Sequence, residues 1–242
     1  MPATQHPTEF DPRQLAAAAR SILACPAEVN LVVDGVDNLC ADKEELGMTD
    51  NDGRPVLVCP THSPLGVAAI DGRSALLTVT SGVGQAGSSS RNARVTLAGR
   101  LTVEDQRDCE CCGEPRTHAS IHLNFVLLSR TVAGAPEQQF RVPLEHFGSP
   151  DHRLNRGFLQ RSVEHANQCH QEELRRAVAM TTGTRMAEIV GVSLAKLMPD
   201  QVEVRWVDLE GANSRTVHFG RSARSPEELG DLLRARLHAG LC

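Results

Sequence analysis

Residues 94–103, Arg-Val-Thr-Leu-Ala-Gly-Arg-Leu-Thr-Val, constrain the fold of this chain more than any other stretch. Val95, Leu97, Leu101 and Val103 fall on one parity, while Arg94, Thr96, Arg100 and Thr102 fall on the other. A period of two puts the four apolar side chains on one side only if the backbone is extended, so the segment reads as a half-buried strand. Residues 119–128 are its expected partner, with Ile121, Leu123, Phe125 and Leu127 assigned to one face.

The rest of the first half reads as further strands with short helices. Asp11 before Pro12 marks a helix start, and Leu15, Ala19, Ile22 and Leu23 face one way on that helix. Strands are expected at 28–34, 55–59 and 75–80. Asp50-Asn51-Asp52-Gly53 turns into the second, and Ser63-Pro64 opens a short helix before the third. Residues 82–90 form a flexible loop rich in glycine and serine. The strand-helix-strand order, and above all Arg-x-Thr-Leu-x-Gly-Arg at 94–100, resemble the flavin-binding split barrels and their haem-utilisation cousins.

The second half turns on His165-Ala166-Asn167-Gln168-Cys169-His170, three metal-competent side chains in less than two helical turns. Apolar positions at Leu154, Phe158, Val163, Ala166, Leu174 and Val178 predict a helix within 150–179, interrupted near 155–157. His170 falls on that stripe, whereas His165 and Cys169 share another face, so two separate sites are expected. His170 is either a core histidine bonded to backbone or an axial ligand of haem iron; His165 with Asn167 either braces a junction or joins that chemistry. Residues 184–197 read as a short helix stopped by Pro199 and Asp200. Val202, Val204 and Trp206 alternate as a strand, 210–213 is a turn, and 214–219 is the hairpin partner. Ser225, Pro226 and Glu228 make a capping box before a helix carrying Leu229, Leu232, Leu233 and Leu237.

His-x-Asn-x-x-His followed by helix, two strands and a closing helix resembles the small α/β domain of unknown function fused to haem-utilisation split barrels of the HugZ type. The likeness covers residues 155–242. It implies an α+β chain in which 1–148 is a split β-barrel and 149–242 a small C-terminal α/β domain, with haem as the cofactor. It further implies haem handling or oxidative haem degradation, a haem oxygenase-like activity supplied by an external electron donor. The haem-binding candidates are His165 and His170, with Arg91 and Arg94 as partners for the propionates.

Other residues speak for other ligands. Ser88, Ser89, Ser90 and Arg91 suit the phosphate of FMN, the basis of a reading as an FMN-dependent oxidoreductase. Cys109-Glu110-Cys111-Cys112-Gly113 contains a turn that aims two thiolates at one metal, and His118 and His122 share a face of the strand that follows. Cys109, Cys112, His118 and His122 are therefore the expected tetrahedral zinc ligands, with Cys111 or Cys169 as substitutes; a loop with idle thiols or one reversible disulfide is the plain alternative. The HugZ-type pattern does not supply these cysteines. The resemblance of the C-terminal domain also implies a second reading, a non-enzymatic, metal- or haem-responsive protein with a Cys/His zinc site that regulates or binds another protein. Cys25, Cys40 and Cys59 lie in or beside apolar runs and read as core thiols, although Cys59-Pro60-Thr61-His62 is also a candidate thiolate ligand for ferric haem. Cys242 is a free tail thiol or a ligand reaching back.

A chain of 242 residues can bury two cores. Net charge −5, no tyrosine and 3 % aromatic residues remove the electrostatic pull and the stacking surface that nucleic-acid binding uses. Residues 1–11 lack a leader pattern and no run of about 18 apolar residues occurs, so a cytoplasmic protein without a membrane span is expected. A homodimer is expected too, because barrels of this kind bury a sheet face and build their cofactor site between two subunits.

Overall fold

The structure, a computed structural model, describes residues 11–36, 47–109, 113–131, 134 and 136–237. Cys40, Cys111, Cys112 and Cys242 lie outside the described residues. The chain divides into two compact units, Met1–His152 and Arg153–Cys242.

The first unit opens with α1 (Pro12–Ala24). The Asp11 carboxylate accepts the N–H of Arg13 at 3.0 Å, and Pro12 takes the first turn, where no amide hydrogen is needed. Leu15, Ala19, Ile22 and Leu23 are buried as their spacing predicts, each leucine or isoleucine contributing about 1.5–3 kcal/mol by leaving water. The strands are β1 (Pro26–Val33), β2 (Gly47–Asn51), β3 (Arg54–Pro60), β4 (Ser74–Ser81), β5 (Ala93–Asp108), β6 (Pro115–Arg130) and β7 (Gln138–Arg141). They form one antiparallel sheet in the order β1-β4-β5-β6-β3-β2, with β7 also on β6. The sheet curls strongly into a half-barrel, so the α+β class and the barrel-like sheet expected from the sequence are what the chain forms. A short helix α2 (Pro64–Ile70), capped by the Ser63 hydroxyl, joins β3 to β4; α3 (Leu144–Phe147) and a 3-10 turn (Pro150–His152) close the unit.

β5 and β6 pair as expected, but the face assigned to β6 changes midway. Ala98 opposes Phe125 and Gly99 opposes Leu123, which leaves Asn124 as an extra residue in a bulge. One inserted residue flips every side chain beyond it. Ile121 is buried and Leu123 packs on the same core, but past the bulge Val126 and Leu128 face inward, while Phe125 and Leu127 turn to the other side. Gly99 explains the glycine of the Arg-x-Thr-Leu-x-Gly-Arg motif: a Cβ there would collide with the carbonyl oxygen of His122.

One buried charge holds the first unit together. Arg20 of α1 is 1 % exposed; its Nε donates to Asp50 Oδ2 at 3.1 Å and its Nη1 to the carbonyl of Phe147 at 3.0 Å. Asp50 Oδ1 accepts the N–H of Gly53 at 2.7 Å, closing the two-residue turn in which Asp52 and Gly53 both have positive φ. Helix, hairpin and α3 are thus tied at one guanidinium. The sequence showed Asp50 only as a turn former.

The second unit comprises α4 (Arg156–Cys169), α5 (Gln171–Thr182), a 3-10 turn (Met186–Glu188), β8 (Gly191–Met198), β9 (Gln201–Asp208), β10 (Gly211–His218) and α6 (Pro226–Leu237). Its antiparallel sheet runs β10-β9-β8. The expected helix at 184–197 is overturned: Met186–Glu188 is a 3-10 turn and the second half of the stretch is β8. Val192 and Leu194 alternate inward against Val204 and Trp206 of β9, and pairing across the sheet outweighs the helix-forming leucine, alanine and lysine of this segment. A register shift past Ala195, where Lys196 takes φ +45°, brings Leu197 back into the core. The closing helix is as expected. The Ser225 hydroxyl accepts the N–H of Glu228 at 3.2 Å, the Glu228 carboxylate accepts the N–H of Arg224 at 2.9 Å, and Leu229, Leu232 and Leu237 are buried. Among the described residues no helix is long and apolar enough to cross a membrane.

Candidate functional site

The histidine block lies at a helix break. Asn155 starts α4 by accepting the N–H of Phe158 at 3.0 Å, and Phe158, Val163 and Ala166 pack on the core of the unit. α4 ends at Cys169, and His170 (φ −122°, ψ 33°) leaves the helical region before α5 begins. Asn, Cys and His are weak helix formers, so the run 167–170 resists a break poorly. Two side chains secure the joint. Gln171 Nε2 donates to the Asn167 carbonyl at 2.7 Å, satisfying one of the last carbonyls of α4. Asn167 itself meets the main chain of Leu194 in β8, donating from Nδ2 to its carbonyl at 3.0 Å and accepting its N–H at Oδ1 at 2.7 Å.

The break changes what the histidines can do. On one continuous helix, positions five apart point well away from each other. Here the ring centroids of His165 and His170 are 5.2 Å apart, with planes at 74°, so the two separate sites expected from the sequence are one. His165 is exposed and His170 half-buried. Among the described residues neither ring nitrogen pair is hydrogen-bonded to another group. Cys169 adds an exposed thiol next in the chain, yet no group of three or more His, Cys, Asp or Glu among the described residues is placed to hold a metal ion. What the joint offers is a pair of imidazoles, which suits ligation of an iron whose other positions are filled by a macrocycle.

Arg91 and Arg94 belong to the first unit. Arg94 stands on the exposed side of β5 and pairs with Glu137, 2.7 Å from Nη2 to Oε1 and 3.1 Å to Oε2. Arg91 donates from Nε to the carbonyl of Gly84 at 3.1 Å, and the N–H groups of Ser88, Arg91 and Asn92 bond to carbonyls within the same loop. A phosphate cradle needs such donors turned outward. The backbone donors of this loop are spent within it, and nothing among the described residues supports the FMN site expected at 88–91.

The described zinc candidates Cys109, His118 and His122 are not brought together either, for a reason of distance; Cys112 lies outside the described residues. Cys109 closes the β5–β6 turn, its N–H donating to the Glu114 carbonyl and its own carbonyl accepting from Gly113, both at 2.8 Å. His118 pairs with Asp105 and His122 with Arg100. A strand advances about 3.3 Å per residue, so His118 is roughly 13 Å and His122 roughly 26 Å along β6 from the level of Cys109. Zinc ligands lie about 2.0–2.3 Å from the ion. Cys109 and His122 cannot share one. Sharing a face, which the parity of 118 and 122 correctly indicated, is not convergence.

Cys25 and Cys59 are buried. Cys59 Sγ lies 3.8 Å from the Thr117 carbonyl it donates to, and burial pushes its thiol pKa up. That favours the neutral thiol, the opposite of what a thiolate ligand to ferric haem requires.

No protein-family model matches the chain, and no curated protein matches it. Among solved structures it is similar to a haem-binding protein from Mycobacterium smegmatis, at 16 % identity over 97 % of this chain and 96 % of that one, with a TM-score of 0.36. It is also similar to a protein of unknown function from Agrobacterium tumefaciens, at 13 % identity over 95 % of this chain and 100 % of that one, with a TM-score of 0.37. Likenesses at these scores assign no ligand.

Proposed function

We propose that this chain is a haem-binding protein, of the split-barrel haem-utilisation kind its motifs resemble, in which His165 or His170 supplies an imidazole to the iron. The observation that carries the reading is the pairing of these two rings at the α4–α5 joint, with no other hydrogen-bonded group to account for them. The chemistry of the donor set fits: neutral imidazole is a standard axial ligand. Haem, when bound, supplies the redox-active iron; the chain supplies the ligand and holds it at a helix end fixed by Asn167 and Gln171.

Titration of the purified chain with hemin tests this. A saturable Soret band that shifts in His165→Ala or His170→Ala, and is lost in the double variant, supports it. No saturable band, or one unchanged in the double variant, overturns it. Loss of the bound tetrapyrrole under an added reductant extends the reading to oxidative degradation; a persistent Soret band restricts it to binding or sensing.

A second copy of the chain is the proposed partner. Val32, Leu76, Ala98 and Phe125 align in register across β1, β4, β5 and β6 on the side of the sheet away from the core, with Val32 58 % and Leu76 42 % exposed. A contiguous apolar row of this kind favours a covering surface. Light scattering of Leu76→Glu against the unaltered chain reads the outcome: a dimer that becomes a monomer.

A further inference from the structure

The second unit contains a cavity of about 350 Å³ that the haem reading does not use. Leu174, Val178, Val204, Trp206, Val217 and Leu237 give it an apolar wall, Arg215 and Arg236 line it as well, and among the described residues no carboxylate does.

The placement of Arg215 is set by the sheet. It lies directly opposite Val204, and opposed residues of an antiparallel pair point to the same side. Val204 is 4 % exposed in the core, so Arg215 stands on the core side of the sheet, on the edge strand β10. Among the described residues its guanidinium has no ion pair or hydrogen-bond partner. Arg236 donates from Nη2 to the carbonyl of Phe219 at 3.1 Å, which anchors its head while its other donors stay unspent among the described residues.

We infer that this cavity binds a small amphipathic anion, with a carboxylate or phosphate head held by Arg215 and Arg236 and an apolar body against Trp206 and the α5 wall. The volume corresponds to about a dozen waters, hence a ligand of about a dozen non-hydrogen atoms. Burying the apolar body supplies the driving force, and two guanidinium forks match a carboxylate or phosphate in charge and geometry. A tetrapyrrole is far too large, so this site stands apart from haem.

Trp206 is the single tryptophan of the chain and lines the cavity, so its fluorescence reports occupancy. Titrating the full chain with octanoate, octyl phosphate and octanol separates head group from tail. Expected is a saturable change with at least one anion, binding about tenfold more tightly than octanol. Arg215→Gln removes that advantage and leaves octanol unchanged. Backbone amide spectra establish that the variant is folded, and shifts at Ala177 and Thr181 on adding octanoate to the unaltered chain repeat the test without a substitution. No saturable response to either anion, equal affinity for octanol, or unchanged affinity in folded Arg215→Gln overturns the inference. The last result would leave Arg215 as a charge that merely deters strand addition at an edge. The His165→Ala/His170→Ala chain keeps the anion site even if it loses haem, so the two readings fail separately.

Discussion

The carboxamide of Asn167 pairs with the main chain of Leu194 as a neighbouring strand would, donating to its carbonyl at 3.0 Å and accepting its N–H at 2.7 Å. One helix side chain thereby satisfies both backbone groups of an edge-strand residue. The asparagine of His-x-Asn-x-x-His is a structural clamp, and the histidines on either side of it are what it positions. Asn167→Ala leaves two backbone groups of β8 without their partner and is expected to cost about 1–3 kcal/mol in denaturant unfolding. Asn167→Asp, which keeps the acceptor but loses the donor, should fall between the two. Equal stability of all three would mean that water replaces the clamp freely.

Arg20→Ala is expected to be among the most damaging single changes in the first unit, about 3–5 kcal/mol, because it strands the Asp50 carboxylate, itself mostly buried, without its counter-charge. Arg20→Met fills the volume but leaves the same carboxylate, so it should recover little. Urea unfolding of the two variants distinguishes lost charge pairing from lost packing.

Acid sensitivity should trace in part to His152. Burial and then the Arg20 charge lower its pKa below the ordinary 6.5, against opposing pulls from the Asp151 charge and a hydrogen bond with the His146 backbone. A folded state that resists protonation has stability that is fully present above the unfolded pKa and is lost as pH falls through the folded one. Melting temperatures at about pH 7.5 and about pH 5.5 should drop less in His152→Gln than in the unaltered chain. An identical drop assigns the acid loss elsewhere.

Gly99→Ala should destabilise the first unit by about 1–3 kcal/mol, since the bulge at Asn124 brings the His122 carbonyl where a Cβ must go and the neighbour is backbone, not a flexible side chain. Thermal unfolding measures it.

His122→Ala should leave zinc content unchanged and stability within about 0.5 kcal/mol, because this exposed side chain is roughly 26 Å along the strand from the level of Cys109. Metal analysis of the variant that showed stoichiometric loss would require a different register for β6.

Signals that act over a few residues were legible before any coordinates. The Asp11-Pro12 and Ser225-Pro226-Glu228 helix starts, the alternation from Arg94 to Leu101 and the stripe through Leu229 and Leu232 all depend on near neighbours, and each formed as read, although Val103, at the end of that alternation, is exposed. The half-barrel followed from several such strands. What the tertiary structure decided were the departures from regular period. The bulge at Asn124, the break at His170 and the strand in place of a helix at Gly191–Met198 are each stabilised by partners distant in sequence: a facing strand, the Asn167 clamp, the pairing with β9. One of those departures bears directly on the candidate site, for the break joins His165 to His170, whereas the regular rise of β6 alone keeps Cys109 from His122. Periodicity says which face a side chain occupies while an element stays regular; only long-range pairing energy fixes where that regularity is interrupted.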